Sequence, residues 1–326
     1  MDAQDLDLIA LLFQQNSITD KTMKNKDSQW RIFTSFCQTY REQAVPVQPD
    51  TLVRYAVYLM VQRRCSVPTV RNHLSTIRRI HQLFYNVTIP APSQYIPLLS
   101  TLKGGAKFLG RNVRQKFPVT AEMLTVLTLT LPPNSPYKSL YNLLFFGLPR
   151  LGNIVPDSIG KFSRIKHLTW RKINFCQDGI IVDLWVTKTI QNFERNLRIP
   201  IASAPDKPHL CLKSGHRLLQ QIHGYPLGPD QPVFNIYRNG AWFPLTRRDV
   251  VKFLRNHLAF LELDNRSITP SGFRKGGLSH GLLCVKNLEL LRLQGDWLSE
   301  AYKRYIVIPA EMRFSVSATA ISKMPD

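Results

Sequence analysis

Apolar positions recur at spacings of three and four along the first third of the chain, the repeat that lines one face of a helix. Trp30, Phe33, Phe36 and Cys37 form one such stripe within residues 20–41. Leu52, Tyr55, Ala56, Leu59 and Met60 form a second, opened by Pro49-Asp50. A third follows Ser66 and Pro68; it turns Val70, Leu74, Ile77, Ile80 and Phe84 inward and leaves Arg71, Arg78 and Arg79 away from the core. Residues 1–110 therefore read as a small helical domain with one basic face. A basic, polar run that ends in Pro118 predicts a connector over 111–118.

Beyond the connector, in 119–326, the pattern changes twice. Residues 137–146 keep the helical repeat after Ser135-Pro136 and stop at Gly147 and Pro149. Residues 165–175, 180–187 and 195–201 are β-branched and alternate, with a Gln177-Asp178-Gly179 turn between the first two, which predicts a three-stranded antiparallel sheet. Thr246-Arg247-Arg248-Asp249 is a capping-box pattern that opens a helix with Val251, Leu254, Leu258 and Leu261 inside. Asn287 and Gly295 bracket another helix as N-cap and stop. The fold class expected is α+β: mainly helical, with a small antiparallel sheet, in two domains.

Charge sharpens this picture. Forty-three Lys and Arg against 22 Asp and Glu leave a formal charge of +21 over 326 residues, a self-repulsion that a polyanion relieves. The excess is local: residues 51–120 hold 11 Lys and Arg and no acid. Double-stranded DNA is the partner this predicts, held between the two domains as in a clamp. Arg54, Arg71, Arg78, Arg79, Lys103, Lys107, Arg111 and Arg114 are the candidates for backbone contacts.

Other classes fall away. Asp2, Asp5 and Asp7 stand where a secretion signal carries positive charge, and no apolar run approaches the ~18 residues of a membrane span, so an intracellular protein is expected. The five cysteines lack a CxxC pair and read as reduced thiols; the eight histidines form no HxxxH or HxH pair. Neither GxxxxGK[ST] nor GxGxxG occurs. No metal and no cofactor are expected. Phosphoryl transfer without a metal then needs a nucleophile, cations on the nonbridging oxygens and an acid for the leaving group.

Four stretches carry those residue types in a recognisable order. They are Phe146-Gly147-Leu148-Pro149-Arg150-Leu151-Gly152-Asn153, then Thr187-Lys188-Thr189-Ile190-Gln191 with Glu194-Arg195 following, then Gly272-Phe273-Arg274-Lys275-Gly276-Gly277, and finally residues 293–306, which end in Tyr305-Ile306. Together they resemble the arginine motifs, lysine hairpin and tyrosine segment of tyrosine recombinases, most narrowly those of crypton and DIRS-type mobile elements. The resemblance covers residues 20–310. It implies a helical core-binding domain joined to a catalytic domain, and a reaction that breaks and rejoins DNA through a 3′-phosphotyrosine. Arg150 and Arg274 would grip the scissile phosphate, Lys188 would protonate the departing 5′ oxygen, and Tyr305 would attack phosphorus. Tyr302 is the runner-up nucleophile.

The resemblance also implies four protomers on DNA, the tail at 312–326 as a candidate exchange segment, and a nuclear location in a eukaryotic host. Two positions depart from the family pattern. Ser271 stands where a histidine is usual; it can donate a hydrogen bond but cannot act as a base near neutral pH. Asp296 stands where a histidine or tryptophan is usual, and a carboxylate there would repel phosphate; the neighbouring Trp297 N–H is the candidate replacement. Because of these two departures, a retired recombinase that binds DNA without cutting it is the alternative.

Overall fold

The computed structural model describes residues 5, 6, 8, 9, 13, 19–110, 116–191, 193–223, 228–263, 267–285, 287–307, 318, 321 and 322. The chain divides into two compact units, Met1–Val113 and Arg114–Asp326. Arg111 and Arg114 lie outside the described residues, as does most of the tail at 312–326.

The first unit is helical, with α1 (Asp20–Tyr40), α2 (Pro49–Val61), α3 (Val67–Phe84) and α4 (Ile96–Phe108). Phe33, Tyr55, Ala56, Leu59, Val70, Leu74 and Leu102 build its core, and Trp30 packs on the rim. The apolar stripe of α3 ends one turn earlier than the periodicity predicts. Phe84 is 75% exposed, Ile80 is half-buried, and His81 fills the last inward position. His81 earns that place through hydrogen bonds: its Nε2 accepts the Val47 N–H at 3.2 Å and its Nδ1 meets the Ile77 carbonyl at 2.9 Å.

The second unit begins with α5 (Ala121–Leu129), α6 (Pro136–Phe146) and the single turn α7 (Leu151–Ile154). A meander of β1 (Ile173–Phe175), β2 (Gly179–Leu184) and β3 (Leu197–Ala202) follows, antiparallel throughout, with Ile173 opposite Val182 and Ile181 opposite Pro200. Strand β3 alternates as predicted, burying Leu197, Ile199 and Ile201, and as an edge strand it tolerates Pro200. The predicted first strand starts eight residues later than its sequence pattern suggests. Lys172 is fully buried and its ammonium donates to the carbonyls of Ile165 and His167 at 2.6 and 2.9 Å, which winds residues 165–172 into turns.

Next come α8 (Leu212–His223) and a hairpin the sequence reading missed, β4 (Asn235–Arg238) with β5 (Ala241–Pro244). Its signal was present: Asn239-Gly240 takes positive φ at both residues, as a tight hairpin turn requires. Helix α9 (Arg247–Phe260) opens with the predicted capping box, but its inward face is Val250, Leu254, His257 and Leu258, with Val251 and Leu261 only half-buried. Helices α10 (Pro270–Val285) and α11 (Leu288–Gln294), the latter capped by Asn287 and closed at Gly295, complete the unit. Part of the predicted connector docks here: the Phe117 N–H donates to the Ser267 carbonyl at 3.2 Å and the Val119 N–H to that of Gly272 at 3.0 Å. Among the described residues, no helix is long and apolar enough to cross a membrane.

Candidate active site

Helix α10 reaches its position through glycine. A Cβ at Gly277 would lie 1.9 Å from the Phe145 carbonyl oxygen, and one at Gly276 would lie 1.6 Å from that of Val119. Only bare backbone lets α10 press onto α6 and residue 119 this closely, and the contact carries Arg274 deep into the unit. Arg274 is 4% exposed. Its Nη2 donates to the Gly295 carbonyl, while its guanidinium carbon lies 4.0 Å from the Trp297 ring centroid and 5.5 Å from that of Tyr305. Burial lowers its pKa to about 9 and the Arg150 charge adds to that; Tyr305 and Asp296 oppose them. It stays cationic at neutral pH, and its buried Nε–H has no hydrogen-bond partner among the described residues.

Arg150 comes from the other side of that contact. Helix α6 ends at Gly147, Leu148 takes a left-handed φ of 54°, Pro149 prevents the helix from resuming, and Arg150 becomes the N-cap residue of α7. Its Nη1 lies 3.6 Å from Oδ2 of Asp296. Asp296 is where the site converges. Its carboxylate is 2% exposed, accepts hydrogen bonds from the Thr187 hydroxyl at 2.8 Å and from the Thr189 hydroxyl, and pairs with Arg195. Burial pushes this carboxyl up, but the hydrogen bonds from Thr189, Arg195 and Thr187 outweigh it and hold the group below the usual carboxylate range. Asp296 thus faces cations and hydroxyls of its own chain, where the sequence reading expected an acid that repels phosphate.

Lys188 lies exposed between those two threonines, at the turn of the β2–β3 connection. The Thr187 N–H donates to the Ile190 carbonyl at 2.9 Å, and Gln191 Nε2 to the Lys188 carbonyl at 3.0 Å. Trp297 is buried and offers Arg274 its ring face. Tyr305 ends the 3-10 turn Glu300–Arg304, half-buried, with its ring 5.5 Å from that of Trp297. Tyr302 is buried in an apolar cluster with Leu148, Leu278 and Leu291. Ser271 stays at the exposed start of α10, its hydroxyl 2.8 Å from that of Thr269.

The structure therefore gathers Arg150, Arg274, Trp297 and Tyr305 with the Lys188 turn, and Ser271 lies exposed one helical turn before Arg274. Thr187, Thr189 and Arg195 belong to the same constellation, with no role assigned to them from sequence. No local signal marks them, because their shared partner lies more than 100 residues away.

The basic candidates of the first unit behave differently. Arg71, Lys103 and Lys107 are exposed. Arg54 is exposed but bonded to Glu42, at 2.5 and 3.1 Å. Arg78, predicted to point away from the core, is half-buried and donates to the Ile89 carbonyl at 3.0 Å; Arg79 is half-buried too.

No family model and no curated protein matches the chain. Solved structures do. The Tn1549 transposon integrase in complex with circular intermediate DNA is similar at a TM-score of 0.59 and 14% identity, over 97% of each chain. The same integrase with transposon right end DNA gives 0.60 and 13%, over 96% of this chain and 98% of that one. A lambda integrase dimer bound to a COC′ core site gives 0.56 and 12%, over 94% and 95%. At such identities the likeness is one of fold: mainly helical with small antiparallel sheets, as in these integrases.

Proposed function

We propose that this protein breaks and rejoins DNA strands through a covalent tyrosine ester, the chemistry of the tyrosine recombinases. The observation that carries the reading is the meeting of Tyr305 with Arg274 beside the Asp296 junction that holds Arg150, a residue from a stretch more than 100 residues away. Arg274 lies against the Tyr305 and Trp297 rings, and Arg150 shares the Asp296 junction. In this reading a phosphodiester is held by Arg150 and Arg274, whose planar forks bind two oxygens each and keep their charge. The buried Nε–H of Arg274 is a donor ready for such an oxygen.

Tyr305 Oη forms a bond to phosphorus as the bond from phosphorus to the 5′ oxygen breaks. The phenolic proton passes to water, and the Lys188 ammonium supplies one to the 5′ oxygen. Negative charge that builds on the nonbridging oxygens meets Arg150 and Arg274 before it develops. The product is a 3′-phosphotyrosyl protein and a free 5′ hydroxyl. Attack by another 5′ hydroxyl reverses the step on a new strand, with one phosphodiester-type ester exchanged for another and no nucleotide consumed.

The DNA complexes of the similar integrases support double-stranded DNA as the partner. Arg71, Lys103 and Lys107 are exposed candidates of the first unit that suit its backbone. The reading extends to the recombinase of a mobile element of crypton or DIRS type, acting as four protomers on DNA, in the nucleus of a eukaryotic host. A second reading, a DNA-binding regulator without cleavage, is favoured by one observation: the Ser271 hydroxyl, at the usual histidine position, is engaged with Thr269.

A pool of nicked duplexes, on which attack releases a short fragment and traps the protein, tests both. In EDTA on a denaturing gel, wild type and Tyr302→Phe give a covalent band and Tyr305→Phe gives none. A band that appears only in Ser271→His supports the regulator. A band that persists in Tyr305→Phe overturns the assignment of the nucleophile.

A further inference from the structure

The segment Gly295-Asp296-Trp297 touches every cationic element of the site. Gly295 gives its carbonyl to Arg274, Trp297 stacks on the same guanidinium, and Asp296 takes Arg150, Arg195 and both threonines that flank Lys188. A carboxylate offers about four lone-pair positions. At 2% exposure, the carboxylate takes hydrogen bonds from three donors of the same chain, Thr187, Thr189 and Arg195, and Arg150 adds its charge at 3.6 Å.

We propose that Asp296 is the positioning residue of this centre: one buried carboxylate fastens the turn that bears Lys188 to Arg150, so that both reach the same phosphate. The inference rests on the phosphotyrosine reading and assigns Asp296 a role opposite to a lesion. Lys188 itself is exposed on a long connection, and its side chain needs a fixed base to deliver a proton to one oxygen. Thr187 and Thr189 supply that base, since both hydroxyls end on Oδ2, the oxygen that also faces Arg150. Arg195, on Oδ1, pairs with the carboxylate's other side, so both oxygens face a cation of the same chain. The short side chain suits the place, because residue 296 adopts a left-handed φ of 56° that Asp and Asn tolerate better than most residues.

Two isosteric changes test the role. Asp296→Asn removes the charge, and Thr187→Val with Thr189→Val removes both hydroxyl anchors while leaving every charge in place. The first readout is hydrogen exchange of residues 185–196, which loses protection in both variants while α10 keeps its own. The second compares nicked duplexes that carry oxygen or sulfur at the 5′ bridging position, because a thiolate departs without a proton. Cleavage of the oxygen ester by the double-valine variant falls about 10²-fold, as for loss of a general acid. On the sulfur ester that variant matches wild type, as Lys188→Ala does, whereas Arg150→Ala stays impaired on both.

Equal losses on the two esters, or unchanged exchange at 185–196 in Asp296→Asn, overturn the proposal. Absence of a covalent band in wild type on either ester refutes the phosphotyrosine reading instead, and the exchange measurement still decides whether Asp296 holds the turn.

Discussion

Arginine meets carboxylate in both units, and the two meetings differ in kind. In the first unit the exposed Arg54 meets the half-buried Glu42, twelve residues away on the chain, where water reaches the guanidinium and screens the pair. In the second, Arg150 and Arg195 converge on Asp296 from 146 and 101 residues away, around a carboxylate that is almost wholly enclosed. The same pairing of guanidinium with carboxylate is a partly solvated contact in one place and a buried junction in the other. Burial and chain separation make the difference, and neither is visible in residue identity.

The largest expected effect that sharpens this contrast is on chemistry. Tyr305→Phe abolishes the covalent complex on nicked duplex yet keeps salt-sensitive DNA binding, since the aromatic packing against Trp297 and Arg274 survives. A gel of trapped product beside a binding isotherm at two salt concentrations checks both halves.

Next is the packing that places Arg274. Gly277→Ala forces α10 off the Phe145 carbonyl, an overpacking expected to cost ~3 kcal/mol and to lower the second unit's melting temperature by roughly 10 °C. Calorimetry then shows two transitions, with that of the first unit unmoved. A single shared shift would mean that the units do not unfold independently.

Acid gives a smaller and graded effect. Burial lowers the His167 and His216 pKa values to about 4 in the fold, against ~6.5 when unfolded. The unfolded chain therefore binds more protons between those values, and the stability of the second unit falls as pH drops from about 6.5 towards 4. The carboxyl of Asp296 is depressed when folded; its contribution is present above ~3.9 and is lost as pH falls through the lower folded value. Melting temperatures across pH 3 to 7 check the sign, and Asp296→Asn should flatten only the acid end.

The smallest change belongs to single surface cations. Arg71→Ala, Lys103→Ala and Lys107→Ala should each reduce the slope of log affinity against log salt by about 1. Arg78→Ala should instead lower the first unit's melting temperature and leave the slope alone, because its Nε–H is spent on the Ile89 carbonyl.

Much of the fold was legible. The stripes at Phe33, Tyr55 and Leu74, the stop at Gly147, the box at Thr246 and Asp249, and the caps at Asn287 and Gly295 are local signals that burial or hydrogen bonding then fixes. The failures have local causes that periodicity cannot register. Phe84 fits the apolar pattern of α3, but the core ends before it. The 165–172 segment alternates like a strand, but buried Lys172 draws two carbonyls around its ammonium.

For the site, the resemblance of four ordered motifs to the tyrosine recombinases named Arg150, Lys188, Arg274 and Tyr305 as candidates. It gave no role to Thr187, Thr189 or Arg195, and it did not show that Asp296 has these residues and Arg150 around it. Whether a carboxylate repels a phosphate or organises the cations around it depends on what surrounds it in space. Those surroundings are set only when α10 closes on α6 and Gly295-Asp296-Trp297 comes to rest between segments far apart on the chain.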